Sequence, residues 1–418
     1  MKKLIAISAL MLVLALLLTL APSCGKGEEV GPGVTPTPGV TPTPTPRAKT
    51  LKMGLIITLS GPAAPWGMQT EQGVKWAIDR INAAGGIKVG AETYMITLVE
   101  CDDKWMGSEA ATCATRMVYD EKVHYVIGSI GTIPAMAPIL TEGKCFNAGI
   151  TNADAWIRPE WPYVWCTLQP ADIWTDTFYK QLVKAEPGVK TMAFIGPLTG
   201  AVAHGATQGN IDGAKKYYGA EVVYEEEYQG GMIDFYPVLT PMVAKNPDAI
   251  AICDGAVGDQ ALIVKQVREL GFKGKLFGSN HGDPGPGVAI AGKAAYEGFY
   301  QNEPDYSSDL YPESTRALYA EYQRLYPGAQ FGLCQYLGYC SVYFYKQAIE
   351  RAGSIDPNEV KRVLDDPNWT YEWFGMPGRS LGGLETFGVR RVNQDETVLS
   401  TTHDGHKVAI SREVTVVP

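Results

Sequence analysis

Histidine is scarce in this chain, with five in 418 residues, and cysteine is sparse, with eight. Eight cysteines over that length are too few for a disulfide scaffold, and they lack the paired spacing of a zinc site. Basic residues are outnumbered, 36 Lys and Arg against 45 Asp and Glu, for a net charge of -9. That balance excludes a basic nucleic-acid footprint. Only one apolar run is long, Leu4 to Ala21, so polytopic membrane architecture is excluded as well. There is no P-loop and no G-x-S-x-G elbow. Gly282-Asp-Pro-Gly-Pro-Gly287 has a glycine spacing, but its two prolines remove N–H donors and make it a turn rather than a phosphate cradle. His403 and His406 flank a predicted hairpin turn and are read as exposed turn residues, not as metal ligands. Neither a metal, a cofactor nor an enzymatic activity is expected.

The N-terminus is a leader. Met1-Lys2-Lys3 is a short positive start, and the 18-residue run Leu4 to Ala21 follows without a charge. Leu20-Ala21-Pro22-Ser23-Cys24 then puts a small residue before a cysteine. This resembles the lipobox of bacterial lipoproteins, which implies a signal peptide over 1–23 and lipidation of Cys24; Pro22 departs from the usual pattern. A retained anchor helix or plain cleavage is the alternative, and either way the body lies outside the cytoplasm. Residues 24–49 carry Gly-Val-Thr-Pro-Thr-Pro twice over. Alternating Thr and Pro favours polyproline II, a semi-rigid tether of roughly 80 Å at full extension.

From Leu51 onward, short apolar runs alternate with helical periodicity. Leu51 to Leu59, Tyr94 to Cys101, Tyr125 to Gly128 and Cys145 to Ile150 read as strands. The stripe Val74, Ala77, Ile78 and Ile81 predicts a helix over 69–83, and further helices fall over 108–120 and up to about Glu142. The pattern then restarts, with strands at Thr191–Ile195, Glu221–Glu226, Ala249–Cys253 and Lys275–Gly278 and helices between them. Three further helices are predicted over 314–326, 331–352 and 356–364, and the β-branched tail carries Asp404-Gly405 as a hairpin turn. Two α/β units of similar size predict two Rossmann-like lobes with parallel sheets.

Several segments in register carry a resemblance. They are Ser60-Gly61-Pro62, Trp66-Gly67 and Ile81-Asn82-Ala83-Ala84-Gly85-Gly86-Ile87, then Cys101-Asp102-Asp103, Tyr125-Val-Ile-Gly128 and Ala148-Gly-Ile-Thr151-Asn152. Gln266-Val-Arg-Glu-Leu-Gly271, Leu337-Gly338-Tyr339 and Ala348-Ile-Glu-Arg-Ala-Gly353 follow. Together they resemble the leucine/isoleucine/valine-binding protein family, substrate-binding components of ABC importers. The resemblance implies the type I periplasmic binding protein fold, an α/β fold of two lobes joined by three crossover strands around a central cleft. It puts 50–166 plus 302–373 in lobe 1 and 167–301 plus 374–418 in lobe 2. It implies a small-molecule ligand, a permease partner, a monomer anchored by lipid on the outer face of the cell membrane, and capture by hinge closure. A ligand-sensing receptor of the same fold is the alternative function.

Ligands of open parallel sheets sit beyond the carboxyl ends of the strands. Carried over residue by residue, the resemblance implies ligand contacts from Trp66, from Ser129 or Thr132, and from Gly149 and Thr151. The second lobe departs from the family. Asp254 stands where a Tyr is usual, and Asn280-His281 stand where a Glu would meet an ammonium. Branched-chain amino acids are therefore the default ligand, with amides, organic acids and aromatic acids beside them. Trp105, Trp156 and Trp165 are expected near cleft loops. Asp102 and Asp103 are expected to cap the next element or line the cleft rim. With Cys24 lipidated, seven cysteines remain, so at least one stands outside any intrachain disulfide.

Overall fold

The structure is a computed structural model, and it describes residues 48–414 apart from 62, 152–155, 157, 169–170, 199, 280–283, 330, 367, 382–391 and 394–395. The leader, the Thr/Pro tether with Cys24, and Asn280 and His281 lie outside the described residues.

In chain order the elements are β1 (Lys49–Ile57), α1 (Ala64–Ala83), β2 (Ile87–Val89), β3 (Glu92–Asp102), α2 (Gly107–Thr115), β4 (Tyr125–Ile127), α3 (Ile133–Glu142), β5 (Phe146–Gly149) and β6 (Val164–Cys166). Then come α4 (Ala171–Ala185), β7 (Thr191–Pro197), α5 (Gly200–Tyr218), β8 (Glu221–Tyr228), α6 (Tyr236–Ala244), β9 (Ala249–Ile252), α7 (Val257–Glu269), β10 (Lys275–Gly278), α8 (Pro284–Ala291), α9 (Lys293–Tyr296) and β11 (Phe299–Asn302). The chain closes with α10 (Glu313–Leu325), α11 (Leu333–Ala352), α12 (Pro357–Leu364), β12 (Thr370–Trp373), β13 (Met376–Leu381), β14 (Val392–Asn393), β15 (Glu396–His403) and β16 (His406–Val414).

Two sheets result. The first has the order β12-β13-β14-β6-β5-β4-β1-β3-β2, and the second β16-β15-β11-β10-β9-β7-β8. Their central strands run parallel. The strands β4, β5, β9 and β10 are short apolar runs with almost no exposed residue, because helices cover both faces. On one face of the first sheet, α1 and α11 lie in close contact. A Cβ on Gly73 would fall 2.0 Å from the Gln335 carbonyl oxygen, and one on Gly338 would fall 2.3 Å from that of Thr70. Only glycine at both places lets the backbones approach so nearly. An aromatic cluster that includes Trp76, Tyr306, Phe331, Tyr336 and Phe374 fills the space beyond. Helix α11 stops at Gly353, which takes the left-handed conformation at φ 61°. Helix α12 starts on Asp356, whose carboxylate accepts the Asn358 N–H at 2.7 Å, with Pro357 following.

The chain passes between sheets after Cys166, after Asn302 and after Asn393. The third passage differs from the expectation near Phe374. Phe374 and Gly375 both have positive φ, 52° and 74°, and form the two-residue turn of a hairpin in which Trp373 pairs Met376. That turn sends the chain back along β13, and β13 (Met376–Leu381) and β14 (Val392–Asn393) both join the first sheet rather than the second. The Asp404-Gly405 hairpin forms as expected, with His403 paired to His406. Asp102 and Asp103 do not cap α2, whose N-cap is Met106 with no side-chain hydrogen bond.

Candidate functional site

Strand order locates a crevice in each sheet. In the first, β3 and β4 flank β1 on opposite sides, so the connections after β1 and β4 diverge between those two strands. In the second, β8 and β9 flank β7 likewise. Such switch points open a gap at the carboxyl edge of a parallel sheet. The sequence-expected residues fall at these edges. Trp66 opens α1 after β1, Ser129 and Thr132 follow β4, and Gly149 and Thr151 stand at the end of β5. Asp254 follows β9 in the second sheet.

The lobe-1 hydroxyls form a closed chain. Thr132 Oγ1 donates to Asp103 Oδ2 at 2.7 Å, and Ser129 Oγ lies 2.5 Å from Thr132 Oγ1. The Thr132 N–H donates to Ser129 Oγ at 2.9 Å. Because the Thr132 proton goes to the Asp103 carboxylate, which only accepts, the Ser129 proton goes to Thr132. Asp103 Oδ1 also accepts from Thr58 Oγ1 at 2.6 Å and from the Trp105 N–H at 3.0 Å. Thr58, Asp103, Ser129 and Thr132 are all buried. Ser129 and Thr132 therefore have inward-directed protons, and Asp103 ties together the loops after β1, β3 and β4. Sequence reading gave Asp103 no such part; a carboxylate at the end of a strand with Thr and Ser near neighbouring strand ends is the one available signal.

Asp102 braces the same region. Its Oδ1 accepts the Leu59 N–H at 2.8 Å and the Lys104 N–H at 2.9 Å. Desolvation pushes its pKa up, but the hydrogen bonds from Ser60, Leu59 and Lys104 outweigh it and hold the carboxyl below its ordinary value. Lys104 and Trp105 sit in the left-handed region, at φ 50° and 57°. A disulfide joins Cys101 to Cys113 and closes a ring around this loop. Cys145, Cys253 and Cys334 are free thiols. Trp66 is half-buried, and its ring meets that of Trp105 edge to face, with centroids 5.9 Å apart and planes at 66°. Gly149 is buried, and a Cβ there would fall 2.4 Å from Ile133 Cδ1. Its carbonyl accepts from Thr167 Oγ1 at 3.0 Å. Thr151 is buried beside it in sequence, past the end of β5. Trp165 is not a cleft residue: it is fully buried in the core, 5.4 Å from Phe344. Trp156 is half-buried against the α2–α3 layer.

At the second switch point, Asp254 has φ 56° and Gly255 φ 106°. Burial pushes the Asp254 carboxyl above its ordinary pKa, opposed by the Gly255 N–H. Ser279, at the end of β10, is buried and accepts from Asn210 Nδ2 at 2.7 Å. Among the described residues no cluster of His, Cys, Asp or Glu has metal-binding geometry, and no helix is long and apolar enough to cross a membrane.

Residues 50–382 match the family described as periplasmic binding protein. This chain belongs to that family. A Leu/Ile/Val-binding protein homolog from Brucella melitensis is 25% identical over 326 residues, covering 76% of this chain and 83% of the relative. Among solved structures, a branched-chain amino acid transporter substrate binding protein from Streptococcus pneumoniae, in complex with isoleucine, superposes with a TM-score of 0.75 at 22% identity. That alignment covers 88% of this chain and 99% of the other. A solute binding protein of an ABC transporter from R. palustris, in complex with benzoate, gives 0.71 at 20% identity, covering 88% and 97%. As a periplasmic binding protein, the chain has the type I fold implied by its sequence, with two α/β lobes.

Proposed function

We propose that this protein is the extracytoplasmic solute-binding component of an ABC importer. It captures a small ligand, a branched-chain amino acid or a related amide or organic acid, between its lobes and delivers it to a membrane permease. Cys24 carries the lipid anchor, and the Thr/Pro segment holds the body off the membrane as a monomer. Lobe 1 supplies Trp66, Gly149 and Thr151, with Ser129 and Thr132 behind them. Lobe 2 supplies Asp254, Asn280 and His281.

The observation that carries this reading is the gathering of the lobe-1 candidates at the carboxyl edge of one parallel sheet, around its switch point. Asp254 stands at the matching point of the other sheet, where its desolvated carboxyl favours a ligand donor. Closure follows from differential affinity: a ligand that gains lobe-2 contacts only in the closed state shifts the hinge equilibrium toward it.

A thermal-shift screen of leucine, isoleucine, valine, their amides and organic acids tests the proposal. A ligand at a hundred times its dissociation constant stabilises by about 2.7 kcal/mol. The hit is also expected to reduce the radius of gyration in small-angle scattering. No shift with any member of the set, and no compaction, would overturn it.

A further inference from the structure

We propose that Trp105 is a second ligand-contacting wall of this site and that, with Trp66, it selects a ligand that carries a flat ring. The inference rests on the solute-binding reading above and deepens it. Trp105 follows β3, the strand on the far side of β1 from β4. Its indole nonetheless reaches the loop after β4. A Cβ on Gly131 would fall 2.3 Å from Trp105 Nε1. Between those two loops lies the one after β1, and its Trp66 meets the Trp105 ring edge to face. The Trp105 indole therefore spans the switch-point crevice of lobe 1.

A core indole would be buried, and this one is 43% exposed. It is also held in place at a conformational cost. Two successive non-glycine residues, Lys104 and Trp105, adopt the left-handed conformation. Both backbone N–H groups are anchored by carboxylates, Lys104 by Asp102 and Trp105 by Asp103. The Cys101–Cys113 disulfide closes the loop around them. Such bracing fixes an exposed side chain before a ligand arrives, which lowers the ordering cost of binding.

Two indoles with their planes at 66° form an apolar corner. A flat ring entering it stacks on one indole and meets the other at its edge, both favourable aromatic geometries. An aliphatic side chain gains area from the corner but no aromatic term.

The test is titration calorimetry of the full-length protein with benzoate, L-phenylalanine and L-leucine, on wild type, Trp105→Ala and Trp105→Phe. A ring acid is expected to bind wild type more tightly than leucine does. Trp105→Ala should then weaken the ring acid about 10-fold while Trp105→Phe retains most of the affinity. Unchanged unfolding midpoints of both unliganded variants show that the loss is not misfolding. Benzoate binding places recognition on the ring and carboxylate alone; binding of phenylalanine only adds the ammonium, and either outcome supports the inference. Equal affinity of wild type and Trp105→Ala for the ring acid overturns it. Binding of leucine without either ring acid overturns it while leaving solute capture standing. Binding of none of the three overturns the flat-ring inference, whereas the wider thermal-shift screen decides solute capture separately.

Discussion

Removing the Asp103 carboxylate is the sharpest test of how lobe 1 is assembled. The carboxylate is fully buried and accepts three hydrogen bonds, from Thr58 Oγ1, Trp105 N–H and Thr132 Oγ1. Hydrogen bonds to a charged acceptor contribute roughly 1.5–3 kcal/mol each, and an orphaned buried donor costs a further desolvation penalty. Part of the loss is recoverable, since Thr132 can turn its proton to Ser129. Asp103→Ala should therefore cost about 3–5 kcal/mol, a large share of the total stability of a typical domain. Asp103→Asn should cost only about 1–2 kcal/mol. Its amide oxygen can keep Thr58 and Trp105, and its amide N–H can donate to Thr132 Oγ1. That substitution would also reverse the chain: Thr132 then donates to Ser129, and the Ser129 proton is released. Urea unfolding followed by far-UV circular dichroism measures both costs. If Asp103→Ala lost less than about 1 kcal/mol, or no more than Asp103→Asn lost, the carboxylate would not be the tie between the three loops.

Arg412→Met tests the passage between sheets. Arg412 pairs with the buried Glu396 carboxylate through Nε and lies 4.9 Å from the centre of the Tyr311 ring. Its removal should cost about 3–5 kcal/mol at pH 7, because Glu396 stays buried without its cation. Burial already raises the Glu396 pKa above 4.5 even with Arg412 opposing it. The folded state thus holds that proton more tightly than the unfolded state, and stability falls as pH rises through the window above 4.5. The deficit of the variant should be smaller at pH 5 than at pH 7, and urea midpoints equal at both would refute this. Reducing the Cys101–Cys113 disulfide should lower stability by about 3 kcal/mol, the closure term for a loop of this size. A thermal midpoint indifferent to a phosphine reductant would argue against it.

Much of the fold was legible because parallel strands covered on both faces must be short and wholly apolar, as Ala249–Ile252 is. Asp404-Gly405 announced its hairpin because both residues tolerate positive φ. Phe374-Gly375 makes the same kind of turn but puts a bulky aromatic at φ 52°, so nothing in its chemistry marked it. The third passage was misplaced for that reason. The helix Ala171–Ala185 went unmarked too, although Phe178, Tyr179 and Leu182 pack one side of it into the core. At the site, strand ends indicated which loops matter. The direction of each proton was hidden, since it depends on Asp103 reaching a threonine 29 positions away. Trp105 and Trp165 look alike in sequence, and only tertiary packing separates an exposed indole from a core one.

The ring closed by Cys101 and Cys113 encloses Asp102, Asp103, Lys104 and Trp105. The loop that bears the exposed indole is thus completed by oxidation, not by chain folding alone. Thiols stay reduced in the cytoplasm and pair outside it. On the extracytoplasmic reading proposed above, this brace forms only after export, and the indole is expected to be held less firmly in a reduced chain.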